Sequence, residues 1–165
     1  MIAIKNGKII TPEEIIENKF LIIDEKKIVG FSDNDEGAEK IVNAHGRYIM
    51  PGIVDIHSDA IHQYIQPRPT SQLDFEFALK VCERDLLSAG ITTMYHSISL
   101  FQDEIFGKSP LRTKENVKKL CDLIANIHLR YHLIHNRFHL RIEIDNIEAF
   151  DITKDMINQK IRASR

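Results

Sequence analysis

The feature that most constrains the fold is the change of hydrophobic pattern at Pro51-Gly52. Before it, short apolar runs alternate with turn residues at intervals too brief for any helix. Ile2 and Ile4 alternate with smaller or polar residues, Asn6-Gly7 reads as a tight hairpin turn, and Lys8-Ile9-Ile10 resumes the strand until Thr11-Pro12 ends it. Residues 20–23, the turn Asp24-Glu25-Lys26-Lys27 and residues 28–31 predict a second hairpin. A polar loop over 32–40 leads to two more short strands, at Ile41-Val42 and over 47–50. Residues 1–50 are expected to be all-β.

Beyond Pro51-Gly52 the runs lengthen. Residues 53–56 form a short apolar-rich run, the pattern of a strand buried on both faces. A loop with Pro67 and Pro69 follows, then a predicted helix over about 71–89, with Leu73, Phe77, Ala78, Val81 and Cys82 on one stripe and Gly90 as its stop. Residues 91–98 are β-branched and predict a second strand. Thr113 is the expected N-cap of a helix with Val117, Leu120, Cys121, Ile124 and Ile127 at i, i+3, i+4, i+7 spacing. Residues 137–144 alternate as a third strand, and the rest, to Arg165, reads as a polar loop leading into a weak helix. Strand, helix, strand, helix, strand is an α/β pattern with parallel pairing. A closed (β/α)₈ barrel takes about 250 residues. Only 115 residues (165 − 50) follow position 50, so they either open a barrel or make a small complete sheet.

Composition narrows the function classes. With 22 Lys+Arg against 24 Asp+Glu, the chain has no basic footprint for nucleic acid. No run approaches the roughly 18 apolar residues that would span a bilayer. The start of the chain lacks the basic-then-apolar order of a signal peptide. Cys82 and Cys121 fall in helical patterns without metal-type spacing and are expected to be reduced core thiols of a cytoplasmic protein.

Chemistry concentrates at His57-Ser58-Asp59, at the end of the first apolar strand. Residues i and i+2 of a strand point the same way, about 6.6 Å apart, so imidazole and carboxylate can converge on one cation. That donor pair suits Zn²⁺ or a similar divalent metal, which lowers the pKa of water to about 7. The C-terminal ends of such strands are where α/β proteins bind ligands. Glu143, on the third strand, could close the site. His128 and His132 stand at i, i+4, but Leu129 occupies the place of the glutamate in H-E-x-x-H; a cationic helix end is the plainer account. His96 reads as a core histidine, and His45 and His62 as unremarkable. No G-x-S-x-G elbow or phosphate-binding P-loop is present in the sequence.

Pro51-Gly52-Ile53-Val54-Asp55-Ile56-His57 resembles the opening barrel strand of the amidohydrolase superfamily, usually P-G-x-x-D-x-H-x-H, with Asp59 in place of the second histidine. His57-Ser58-Asp59 followed by Pro67-Arg68-Pro69-Thr70-Ser71-x-x-Asp74-Phe75 is similar to one branch, the phosphonate-metabolism (PhnM-type) enzymes. Gly90-Ile91-Thr92-Thr93-Met94-x-His96-Ser97 and His139-x-x-x-Glu143-Ile144-Asp145-Asn146 extend the match in order. The resemblance implies a small β-sandwich segment over 1–50, then the first three βα units of an incomplete, TIM-like metal-dependent barrel over 51–165. It assigns His57, Asp59 and Glu143 to a divalent metal, Zn²⁺ or Mn²⁺. The implied reaction is hydrolysis of α-D-ribose 1-methylphosphonate 5-triphosphate to the 5-phosphate and pyrophosphate. The family's remaining ligands and general base lie on later strands, beyond Arg165. The resemblance therefore implies an N-terminal part, inactive alone, whose partners are the C-terminal half or further copies of itself. Arg68, in its proline-framed loop, either grips triphosphate oxygens or makes a loop salt bridge. His139 and Arg141 share a face with Glu143, as substrate contacts or as its buried partners. Two alternatives stand beside this reading: another amidohydrolase cleaving a C–N bond, and a non-catalytic remnant or subunit that needs a second chain.

Overall fold

The computed structural model describes residues 1–100, 110–127, 129, 132–142, 146, 147 and 149–163. The chain divides into two compact units, Met1–Pro51 and Gly52–Arg165.

The first unit is built of seven short strands: β1 (Ile2–Lys5), β2 (Lys8–Ile10), β3 (Ile15–Ile16), β4 (Phe20–Asp24), β5 (Lys27–Ser32), β6 (Lys40–Asn43) and β7 (Tyr48–Ile49). They form two sheets, ordered β5-β4-β1-β6 and β3-β2-β7. The expected β4–β5 hairpin is present, antiparallel, with Glu25 and Lys26 at its turn in positive φ. The hairpin expected at Asn6-Gly7 is not. Asn6 does take the left-handed conformation (φ 54°), but the chain there steps from one sheet to the other, so β1 pairs with β4 and β6 while β2 pairs with β3 and β7. Their parallel partners lie 38 and 40 residues away, which no local turn signal reports. Gly7 has no room for a Cβ, which would meet the side chain of Ile49.

The second unit contains a parallel sheet of β8 (Ile53–Ser58), β9 (Ile91–Leu100) and β10 (His135–Ile142), in the order β10-β9-β8. Its helices are α1 (Ile61–Ile65), α2 (Phe75–Ser88), α3 (Lys114–Ile127) and α4 (Ala149–Ala163), with a 3₁₀ turn at Pro110–Arg112. The α3 stripe is buried at Val117, Leu120, Cys121, Ile124 and Ile127, and Thr113 Oγ1 accepts the Asn116 N–H at 3.3 Å. The α2 stripe is corrected. Asp74 caps the helix, accepting the Phe77 N–H at 3.0 Å, and the buried residues are Phe75, Ala78, Leu79, Cys82 and Glu83, leaving Leu73 and Phe77 exposed. Capping at Asp74 starts the helix later than expected and leaves Leu73 outside it, while packing against α1 and the sheet selects the buried face. Short α1, absent from the expectation, adds Ile61 and Ile65 to the core.

The sheet's two faces differ. Even-numbered Ile98 and Leu100 of β9, with Phe138 and Leu140 of β10, pack among the α2 and α3 side chains. Odd positions point the other way. A second correction concerns β8, expected to be buried on both faces: it is an edge strand, with Val54 56% and Ile56 70% exposed. One flank of β8 pairs with β9, and no described strand pairs with the other. Both cysteines are buried and outside any disulfide; burial, with Asp85 and Glu83 nearby, pushes the Cys82 thiol up to about 12.

Candidate active site

Of the site residues named above, His57, His139 and Arg141 lie on the odd face of the β8–β9–β10 sheet, toward the strands' C-terminal ends. His57 is the penultimate residue of β8. The ladder to β9 slips between Asp55 and Ser58, and at the slip Asp55 Oδ1 accepts the His57 N–H at 3.0 Å. Asp55 thus fixes the backbone that presents His57, a role for the Asp of the D-x-H motif that the sequence reading did not assign.

The His57 ring meets His139 of β10 edge to face, with centroids 4.8 Å apart and planes at 82°. His139 Nδ1 lies 3.2 Å from the Ile56 carbonyl oxygen. A carbonyl only accepts, so Nδ1 carries a proton, the tautomer that leaves Nε2 to present a lone pair. Two imidazoles from the two edge strands therefore stand together across β9.

Asp59 lies one residue past the end of β8, so the alternation that would align it with His57 does not reach it. Its backbone carbonyl accepts the His62 N–H at 2.9 Å, opening α1. Burial holds the His62 ring below the usual imidazole range; the charge of Arg112 adds to this, and that of Asp59 opposes it. Asp59, His62 and Arg112 thus share one electrostatic neighbourhood. Glu143 and His128 lie outside the described residues. His132 and His135 rings are 6.2 Å apart and tilted at 52°. Arg68 is exposed in a tight turn, where its carbonyl accepts the Ser71 N–H, and makes no ion pair among the described residues.

On the same face, β9 and β10 run in register with Ser97 opposite His139 and Ser99 opposite Arg141. Ser99 Oγ accepts from Arg112 Nη1 at 2.6 Å and from Arg141 Nη2 at 3.4 Å. Arg112, Ser97 and Ser99 were missed in the sequence. The serines at i and i+2 in an apolar strand were a usable signal; Arg112, in a loop, gave none.

Opposite this face, His96 and Asn136 are buried beneath α2. His96 Nε2 is 2.8 Å from Asn136 Oδ1, and Asn136 Nδ2 donates to the buried Glu83 Oε1 at 2.5 Å. This is the core histidine expected. Burial holds its pKa below the usual range, with Asn136 and then Asp55 opposing.

The donors His57, Asp59 and His139 Nε2 have the chemistry that Zn²⁺ or Mn²⁺ takes. Among the described residues no three His, Cys, Asp or Glu side chains are grouped closely enough to hold a cation by themselves. They fit a divalent metal as an incomplete set.

No protein-family model matches the chain. Over 158 residues, 95% of the chain, it is 21% identical to the alpha-D-ribose 1-methylphosphonate 5-triphosphate diphosphatase of Escherichia coli K12. Over 97 residues, 57% of the chain, it is 39% identical to a dihydroorotase of Clostridioides difficile. It spans 40% of the first relative's length and 21% of the second's. A D-hydantoinase from Bacillus sp. AR9 superposes on 96% of the chain, using 31% of its own, at a TM-score of 0.59 and 18% identity. A second D-hydantoinase covers 90% of the chain at 0.51 and 22%. A parallel sheet presenting D-x-H at a strand end, a diphosphatase matched along nearly the whole chain and a hydantoinase of similar fold point the same way: the chain is similar to amidohydrolase-type hydrolases and spans only part of their length.

Proposed function

We propose that this chain supplies the first strands and part of the metal site of a hydrolase that cleaves α-D-ribose 1-methylphosphonate 5-triphosphate to the 5-phosphate and pyrophosphate. The observation that supports it is the diphosphatase likeness over 95% of the chain, joined to basic side chains beside His57 and His139. In this reading His57 and Asp59 hold a divalent cation, with Glu143 as a further ligand and Zn²⁺ or Mn²⁺ as the metal. Bound there, the metal supplies Lewis acidity and water activation. The Nδ1–H bond to the Ile56 carbonyl fixes the His139 ring, as an outer hydrogen bond fixes ligating histidines. Arg141, His139 and Arg68 bind the phosphoryl oxygens, because a planar guanidinium matches them two bonds at a time. The general base and the other ligands come from the remainder of the barrel, whether in the same polypeptide or in a second one. The exposed β8 edge is where such a partner, or another copy of this chain, would add its strand.

A second reading, hydrolysis of a cyclic amide C–N bond, is favoured by the higher identity to dihydroorotase, 39% over the shorter stretch. One pair of assays separates them: pyrophosphate release from the ribosyl triphosphate and ring opening of dihydroorotate, each with Zn²⁺ or Mn²⁺ and with the remaining barrel strands supplied. Pyrophosphate release abolished by His57→Ala supports the diphosphatase. Ring opening without pyrophosphate release overturns it.

A further inference from the structure

His57 and His139 come from the two edge strands of the sheet, β8 and β10, with β9 between them. Neighbouring strands lie about 4.8 Å apart, so the backbones of the two edge strands are about 9.6 Å apart. The rings nevertheless stand with centroids 4.8 Å from each other. Both side chains therefore lean inward over the middle strand. The β9 residue directly across from His139 is Ser97, small enough to leave that space. His57 is exposed and His139 half-buried, so a solute can reach the pair, whereas His96 is sealed in the core.

The separation is that of a chelating pair. Two imidazoles on one tetrahedral Zn²⁺, each nitrogen about 2.0–2.1 Å from the metal, have centroids about 5 Å apart. The proton on His139 is also in the right place. Its Nδ1 lies 3.2 Å from the Ile56 carbonyl oxygen, which only accepts, and Nε2 is left to present a lone pair. Histidines that hold metals almost always give their other ring N–H to a carbonyl, a carboxylate or water in this way. Aromatic rings also pack edge to face with no ligand at all, and substitution separates the two accounts.

We propose that His139 is a metal ligand, its Nε2 and a nitrogen of His57 together holding Zn²⁺ across β9. Imidazole donors suit that cation. The pair fills half of a tetrahedral shell, and no third donor is grouped with it among the described residues. The inference rests on the metal-site reading above and adds to it a ligand from β10. It competes with a phosphoryl contact for one nitrogen of His139: phosphoryl oxygens accept and would need a second proton, at Nε2, whereas a cation needs Nε2 bare.

Zn²⁺ is titrated calorimetrically into the full chain, without substrate, so that turnover plays no part. The folded chain is expected to bind it. His57→Phe and His139→Phe are each expected to weaken binding by more than about 10-fold, the least that even an outer-shell partner contributes. Phenylalanine keeps a ring in the contact but has no nitrogen, so packing survives where coordination does not. His135→Ala, in the wider pair with His132 at 6.2 Å, is expected to leave binding unchanged. Cu²⁺ gives a check on the parent chain that needs no variant to fold: its electron paramagnetic resonance spectrum is expected to carry the hyperfine pattern of two imidazole nitrogens. A cooperatively folded chain that binds no Zn²⁺ would overturn the site, as would a Cu²⁺ spectrum with fewer than two such nitrogens. Binding that falls with His57→Phe but not with His139→Phe overturns the role of His139 and leaves the metal reading standing. Zn²⁺ held by both rings, with no pyrophosphate released when the remaining barrel strands are supplied, keeps the pair and overturns the diphosphatase.

Discussion

The two faces of the β8–β9–β10 sheet treat polar side chains in opposite ways. On the helix-covered face, His96, Asn136 and Glu83 are linked to each other and sealed beneath α2. On the other, His57 and His139 stand ring to ring, Ser97 Oγ has no partner among the described residues, and Arg112 and Arg141 both donate to Ser99. The first arrangement is a buried network of three side chains in which His96 Nδ1 has no partner among the described residues; the second gathers histidines and arginines toward the strands' C-terminal ends. Histidine on the same sheet is therefore structural at 96 and a ligand candidate at 57 and 139, and the face decides which.

The largest expected difference is in metal binding. His57→Ala should weaken Zn²⁺ by more than the 10- to 100-fold typical of losing an outer-shell partner, measured by calorimetry. His96→Gln should leave it unchanged. Equal effects would break the division between the faces.

Stability should show the converse. Glu83→Ala removes the carboxyl that takes the Asn136 amide and leaves a buried donor unpaired, at a cost of about 1–3 kcal/mol. His139→Ala, on the open face, should cost about 0.5 kcal/mol or less. Denaturant titration with both variants tests this directly.

A smaller effect concerns pH. The His96 pKa is depressed in the folded state, so below about 6.5 the unfolded chain binds a proton that the folded chain refuses. Its stabilising contribution is full above that pH and declines as the pH falls toward the lowered folded value. Melting curves between pH 7 and 5 should show the midpoint falling, and His96→Gln should flatten the slope. The smallest change in stability is expected from Ile56→Lys on the exposed β8 edge, within about 0.5 kcal/mol. A charged edge should nonetheless reduce self-association seen by sedimentation; unchanged association would place the contact elsewhere.

Periodicity alone determined much of the second unit. The α3 stripe from Val117 to Ile127 is buried as spaced, because a helix's repeat depends only on its own backbone. The alternation in β10 placed His139 and Arg141 on one face for the same local reason. D-x-H falls at the end of a strand, as its apolar run implied. Tertiary structure decided the rest. It routed β1 and β2 into different sheets despite the Asn-Gly turn, through partners distant in sequence. The Asp74 cap left Leu73 before the helix, and packing buried the stripe from Phe75 to Glu83 while Phe77 stayed exposed. Packing also gave His96 Nε2 a partner in Asn136 and left His96 Nδ1 and Ser97 Oγ without one among the described residues. Arg112 and Arg141 meet at Ser99 through a loop and two strands, and no spacing rule reaches across such a distance. Local periods fix which way a side chain points; only the assembled sheet fixes what it meets there.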